Sequence, residues 1–363
     1  MRRAPVPAPT PRELGFRHPA EWEPHEATWL GWPHNRSDWP GKFTPIPWVY
    51  GEIVRRIAPG ETVRVLVNDR THEASAKRVL KRAGADSARV EFFRFPTDRG
   101  WVRDTGPVFV KRDAPAGGRG ETAVAGFRFN AWAKYDNWKR DARIPALAAA
   151  RLQKRIFIPE SGGRHVVLEG GSIDLNGRGT LLTTEECLLD PVTQVRNPGM
   201  SRADLEKVLL DYLGAANVLW LGKGIAGDDT HGHVDDLSRF VNPTTAVLCE
   251  EKDPSDANYA VLNENRERMQ GMRLEDGSKL QVVQIPMPAP VVFDGQRLPA
   301  SYANFYVCNA AVLVPTFNDL NDRIALGILS ELVTDRPVIG IHAVDLVWGL
   351  GTLHCLTHEQ PLP

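Results

Sequence analysis

The stretch that decides the fold is "HVVLEGGSIDLNGRGTLLTTEECLL" at 165–189, followed by "SRADLEKVLLDYLG" at 201–214 and "NVLWL" at 217–221. Two apolar runs flank Asn176-Gly177, a pair suited to a tight hairpin turn. Leu205, Val208, Leu209 and Tyr212 then recur at helical spacing, with Ser201 as an N-cap and Gly214 as a stop. A third apolar run follows, so the order is strand, strand, helix, strand.

That order recurs. It fits "HVDDLSRFVNPTTAVLCEE" (233–251), "DANYAVLNENRERMQG" (256–271) and "KLQVVQIPMP" (279–288), with Asn242-Pro243 as the turn. It fits "YANFYVCNAAVLVPTFN" (302–318), "DRIALGILSELV" (322–333) and "PVIGIHAV" (337–344). An earlier copy places leading strands near "EATWLGWP" (26–33), then "VRVLV" (63–67), "THEASAKRVLKRAG" (71–84) and "ARVEFFRF" (88–95). A looser one takes "GPVFVKR" (106–112), "TAVAGFRFN" (122–130) and "RIPALAAARLQ" (143–153). The spacing predicts about five ββαβ units of roughly 55–75 residues, a repeat period that points to an α/β propeller closed on itself. An open two-domain α/β sheet is the alternative. The hairpin before each helix favours the ring, because simple βαβ winding lacks it.

The chain has 363 residues with 44 Lys+Arg against 45 Asp+Glu, so charge gives no argument for nucleic acid or an anionic membrane. No apolar run reaches a membrane-spanning length. Residues 1–15 read as an extended Pro-rich tail and 16–363 as one catalytic domain. The cysteines are Cys187, Cys249, Cys308 and Cys355, with no CxxC pair. They read as reduced thiols in a cytoplasm, the first three as small core residues in strand-like runs. Cys355 lies apart, in a Gly-rich turn.

Polar residues fall at matching places in the units. Asp104 precedes a first strand, Glu169 sits in one, His233 and Asp235 open the next, and Asn304 opens the one after. Equivalent positions in a ring face one axis, which predicts a single central site. "DDTHGHVDD" (228–236) also admits a zinc reading, since "HGHVDD" is similar to the HxHxDH pattern of zinc hydrolases. Its sixth position is Asp236, and no second His-rich segment completes a ligand set. The bland reading is a solvated turn leading into a strand histidine. Cys, His and several carboxylates without a metal instead suit covalent chemistry on a cation: thiolate as nucleophile, His as proton carrier, carboxylates as clamp.

"EWEPHEATWLGWP" (21–33), "WVRDTGP" (101–107), "FNAWAKYDNW" (129–138), "LEGGSI" (168–173), "DDTHGHVDD", "YANFYVCNAAVLVP" (302–315) and "GTLHCLTHEQP" (351–361) together resemble the agmatine deiminase/bacterial peptidyl-arginine deiminase family. The resemblance runs from about residue 16 to the C-terminus. It implies the five-bladed α/β propeller of the guanidine-modifying superfamily, the pentein fold. It implies Cys355 as nucleophile, His233 as general acid/base, and Asp104 and Asp235 as holders of the guanidinium nitrogens. Trp101, Glu169 and Asn304 join as substrate-binding residues. No metal or organic cofactor is implied. The chain departs from the usual Gly-Gly-Gly-Asn before His-Cys, carrying "GLGT" at 349–352.

The expected reaction is hydrolysis of agmatine to N-carbamoylputrescine and ammonia. Peptidyl-arginine or another small guanidino compound is the alternative substrate. An amidinotransferase or a non-catalytic guanidinium binder would share the same residues. Arg128 and Arg297 are candidate readers of a substrate carboxylate, and Glu169 of an amine. The expected partner is a small guanidino substrate, with homo-oligomerisation left open.

Overall fold

The computed structural model describes residues 8–114 and 120–363. The first seven residues of the expected tail lie outside this range. Arg12–Leu14 form a 3-10 turn rather than extended chain, with the Thr10 backbone N–H held by Glu13.

Four sheets repeat one pattern, an antiparallel pair followed by a parallel third strand. They are Val108–Arg112, Glu121–Ala125 and Ile156–Phe157; Asp174–Leu175, Thr180–Thr184 and Asn217–Leu221; Ser238–Asn242, Thr245–Glu250 and Gln281–Pro286; and Tyr306–Val307, Val312–Thr316 and Val338–His342. In each, a helix crosses from the second strand to the third, as the parallel pairing requires. The helix Arg202–Leu213 shows why. Ser201 and Asp204 form a reciprocal capping box, and Gly214 ends the helix at φ 74.

The four-stranded sheet corrects the sequence reading; two short two-stranded ribbons, Glu160–Ser161 with Arg164–His165 and Val292–Phe293 with Gln296–Arg297, complete the set among the described residues. The strand near "EATWLGWP" is single, His25–Gly31. Its antiparallel partner is Thr357–Pro361, in the register Trp29↔His358 and Leu30↔Thr357. The crossover helix is Ile46–Ile57, which lies before "VRVLV" rather than after it. Arg70–Ala83 and Val90–Phe93 add a further helix and a fourth strand, parallel to Thr62–Leu66. A local repeat pattern cannot register a pairing between the two ends of the chain, so the reading took the added elements for the repeat itself.

Short turns carry the chemistry into place. Val102–Thr105, Gly170–Ser172, Val234–Asp236 and Leu353–Leu356 each form a single helical turn just before the first strand of a sheet. Residues 302–303 form a turn before Tyr306–Val307. Glu169, His233 and Asp235 therefore lie in turns, not in strands as expected. The strand after His233 begins only at Ser238.

Candidate active site

The five turns converge. Asp104 and Asp235 are buried, as are Glu169, His233, Asn304 and Cys355. His233 Nδ1 lies 3.9 Å from Asp104 Oδ1 and 4.0 Å from Asp235 Oδ1, and its Nε2 lies 3.9 Å from Glu169 Oε2. Asp235 Oδ2 lies 3.8 Å from the Cys355 sulfur. Gly171 explains the "GG" of its turn. A Cβ there would stand 2.6 Å from His233 Nδ1, 3.0 Å from Asp104 Oδ1 and 3.1 Å from Asp235 Oδ2. Its backbone N–H donates to Asp104 Oδ1 at 3.0 Å.

Cys355 Sγ faces a cleft of about 230 Å³ lined also by Trp101, Asp104, Trp132, Tyr135, Asp38 and Leu350. Trp101, Asp104, Trp132 and Cys355 are buried, whereas Arg99, Tyr135, Asp229 and Leu350 are half-buried and Ser37 is exposed. The first group forms the floor and the second the mouth. Asn304 is not on the wall. Its Nδ2 donates to the Cys355 sulfur at 3.1 Å and to Asp236 Oδ1 at 3.0 Å, and its Oδ1 accepts from Thr352 Oγ1 at 2.7 Å. Asn304 thus fixes the loop that carries the thiol.

Three atoms at the centre are buried without a hydrogen-bond partner: Glu169 Oε2, His233 Nε2 and Asp235 Oδ1. Such groups are costly unless something completes them. Unpaired acceptors beside a thiol suit a cationic N–H donor entering the cleft.

The charges respond to this crowding. Burial and the charges of Asp235, Asp236 and Asp104 push the Cys355 thiol well above its ordinary value, against the Asn304 hydrogen bond. Burial pulls His233 down, but the charge of Asp104, with Cys187 and Glu169 close by, carries it well above the usual imidazole range. Burial raises Asp104, opposed by His233. Burial also opposes ionisation of Asp235, yet His354 and His233 hold it low. Both shifts favour the protonated forms, a thiol at Cys355 and an imidazolium at His233, with Asp235 between them.

Several supporting residues escaped the sequence reading. Arg196 is fully buried. It donates from Nε to Glu169 Oε1 at 3.1 Å, from NH1 to Gln194 O at 2.9 Å, and from NH2 to Thr230 O. Against burial, Arg196 and His233 take Glu169 down to about 2. Cys187 was expected in a strand; it lies in the short helix Glu185–Leu189, its sulfur clustered with Glu169 and His233. His354 bridges Asp235 (Nδ1, 2.7 Å) and Glu21 (Nε2, 2.8 Å). Glu21 also takes Arg103 and Arg239, each at 3.0 Å, while Arg103 reaches Glu359 at 2.8 Å and Arg239 reaches Asp174 at 2.8 Å. This buried ion network touches residues in or beside each of the five sheets of three or more strands. Trp132, within the quoted "FNAWAKYDNW", adopts φ 56 between Ala131 (φ 52) and Ala133 (φ 52) and donates Nε1–H to Asp104 Oδ2 at 2.8 Å. Three consecutive left-handed residues are costly, and strain of this kind collects at functional sites.

Other expectations are corrected. Arg128 stacks over Trp138 and Arg297 pairs with Asp256 at 2.8 Å, both outside the cleft. Glu169 faces His233 rather than the cleft, whose lining carboxylates besides Asp104 are Asp38 and Asp229. His231 Nε2 turns to Asp190 Oδ2 at 2.8 Å, so its ring does not join that of His233 as the zinc reading requires. Gly232, at φ 90, separates the two.

Comparison with known proteins agrees with this geometry. The chain is 33% identical over 380 residues to the agmatine deiminase of Pseudomonas aeruginosa (strain LESB58), covering 98% of each. It superposes on the agmatine deiminase of Enterococcus faecalis with a TM-score of 0.88 at 29% identity, covering 98% of this chain and 99% of that one. It superposes on a substrate-bound Cys-to-Ser variant of the C. jejuni agmatine deiminase with a TM-score of 0.82 at 27% identity, covering 95% and 96%. The profile of the Porphyromonas-type peptidyl-arginine deiminases matches residues 17–361, and the chain belongs to that family.

Proposed function

We propose that this protein hydrolyses agmatine to N-carbamoylputrescine and ammonia, as a hydrolase acting on C–N bonds of linear amidines. The observation that carries the reading is the junction at Asp235, one oxygen 3.8 Å from the Cys355 sulfur and the other, unpartnered, 4.0 Å from His233 Nδ1. Full-length similarity to agmatine deiminases supports it.

Asp104 and Asp235 bind the guanidinium N–H groups and hold the carbon flat above the sulfur. The arriving cation offsets the negative field that keeps Cys355 protonated, so the thiolate forms when substrate is bound. Sulfur attacks the guanidinium carbon and a C–S bond forms. His233 gives its proton to the departing nitrogen, the C–N bond breaks, and ammonia leaves. A thiouronium remains on Cys355. His233 takes a proton from water, whose oxygen attacks the same carbon. The C–S bond then breaks as the adduct's hydroxyl proton passes to the departing sulfur, releasing the ureido product and restoring the resting thiol. Trp101 walls the spacer. Glu169 acts on His233, and Asn304 holds the Cys355 loop.

In this proposal the five sheets are the blades of one α/β propeller, residues 16–363 form one domain, and the enzyme works in the cytoplasm. The repeated strand order and four unpaired cysteines support it. Among the described residues no helix is long and apolar enough to cross a membrane. Incubation with agmatine should release equimolar ammonia and N-carbamoylputrescine, and Cys355→Ala should abolish both. Absence of ammonia from agmatine, arginine and arginyl peptides alike would remove the deiminase reading.

A further inference from the structure

We propose that Leu350 is a specificity-determining residue. It selects guanidines with an unbranched spacer and a cationic end, and excludes those bearing a carboxylate or peptide group beside the distal nitrogen. The inference deepens the deiminase reading and rests on it.

Leu350 adopts φ 67 and ψ 27, the left-handed region that a branched side chain avoids. Its neighbours show why the turn is tight. A Cβ on Gly349 would stand 2.6 Å from Trp39 Cε2 and 2.9 Å from Trp101 Cζ2. A Cβ on Gly351 would stand 3.0 Å from the Cys355 sulfur and 3.0 Å from Trp101 Cζ3. The turn is pressed against the proposed nucleophile and its indole wall, and the middle position alone has room for a side chain. Glycine would serve the backbone better there too. The chain instead keeps leucine, whose side chain lines the cleft beside Trp101 and Cys355 and packs against the edge of the core. Strain retained at a ligand wall points to a role in the ligand.

The charges beside it agree. Asp38, buried, and Asp229, half-buried, line the same cleft. Asp38 accepts from Arg99 NH1 at 2.6 Å through Oδ1, and its buried Oδ2 has no partner. Arg99 is the cation among the lining residues, and it is already paired with Asp38 and bonded to the Oδ1 of Asn137, 3.3 Å away. Asp229 accepts from Tyr135 at 2.7 Å and also from Lys134. A substrate carboxylate in the cleft would meet an isobutyl group and two carboxylates, and the lining cation, Arg99, is already neutralised by Asp38. An ammonium there meets Asp38.

The test is the ratio of kcat/KM for agmatine to that for arginine and for a blocked arginyl amide, in wild type, Leu350→Gly and Leu350→Ala, each with a melting curve. The expected result is a wild-type preference for agmatine that falls about tenfold or more in Leu350→Gly, chiefly by gain on the larger substrates. Leu350→Gly should melt at or above the wild-type temperature, because glycine relieves the left-handed strain. Leu350→Ala should open the mouth partly without that relief. A ratio within about twofold of wild type, or equal losses on all substrates with a lower melting temperature, would show a mere gap filler and overturn the proposal. A wild type that turns over no guanidine would sink the deiminase reading itself, and this inference with it.

Discussion

The Oδ2 oxygen of Asp235 lies 3.8 Å from the sulfur of Cys355. A carboxylate so near a thiol opposes its ionisation, and Asp236 and Asp104 add to that field. The site therefore rests as a protected thiol and becomes nucleophilic when a cation neutralises its neighbours. Asp104→Asn should lower the thiol pKa while weakening guanidinium binding. Iodoacetamide should then alkylate Cys355 faster than in wild type at neutral pH, although agmatine turnover falls about 100-fold or more. Equal or slower alkylation in the variant would contradict this account.

The pH profile follows from the same two groups. Activity of the free enzyme needs Cys355 deprotonated and His233 protonated. Both values are raised. Activity therefore rises with pH as the thiol ionises and falls only when the imidazolium is lost, so both limbs move to the alkaline side. The expected kcat/KM is still climbing near the ordinary thiol pKa of about 8.5. A profile already falling at neutral pH would refute the assignment.

Arg196 makes Glu169 an anion under His233. Arg196→Met would strand that buried charge, at about 3–5 kcal/mol in stability by urea titration. It should lower kcat far more than it raises KM, because Glu169 loses the bond that fixes it against His233. The folded pKa of Glu169 is depressed to about 2 from 4.5. Its contribution is therefore present above 4.5 and lost as pH falls through about 2, and the variant should lack this acid-side dependence.

Gly171→Ala introduces a methyl group 2.6 Å from His233 Nδ1. The turn must shift, and a displacement near 1 Å at a reacting centre costs about 100-fold in rate. Circular dichroism should remain that of the wild type while kcat collapses. A variant retaining most of its activity would show that the packing around His233 is looser than these distances imply.

The hairpin-then-helix order was legible because Asn176-Gly177 and the Ser201 cap write local structure in local residues. The matching positions of Asp104, Glu169, His233, Asp235 and Asn304 were legible as a pattern; in the structure Asp104, Glu169 and Asp235 surround His233, and Asp235 and Asn304 reach the Cys355 sulfur. What stayed hidden depends on contacts remote in sequence. Arg196 reads as a surface arginine until Glu169, 27 residues away, is placed beside it. His354 looks incidental until Asp235 and Glu21 flank its ring. The strained Trp132 turn has no glycine to announce it. The adjacency of His354 to Cys355 and the aromatic density of 129–138 were the signals available.

The pairing of His25–Gly31 with Thr357–Pro361 has a consequence for biosynthesis. During translation the first of these strands emerges more than three hundred residues ahead of its mate, and the thiol follows almost as late. A nascent polypeptide that has not yet reached Cys355 has no assembled reaction centre, and fragments that stop short of it are born inert.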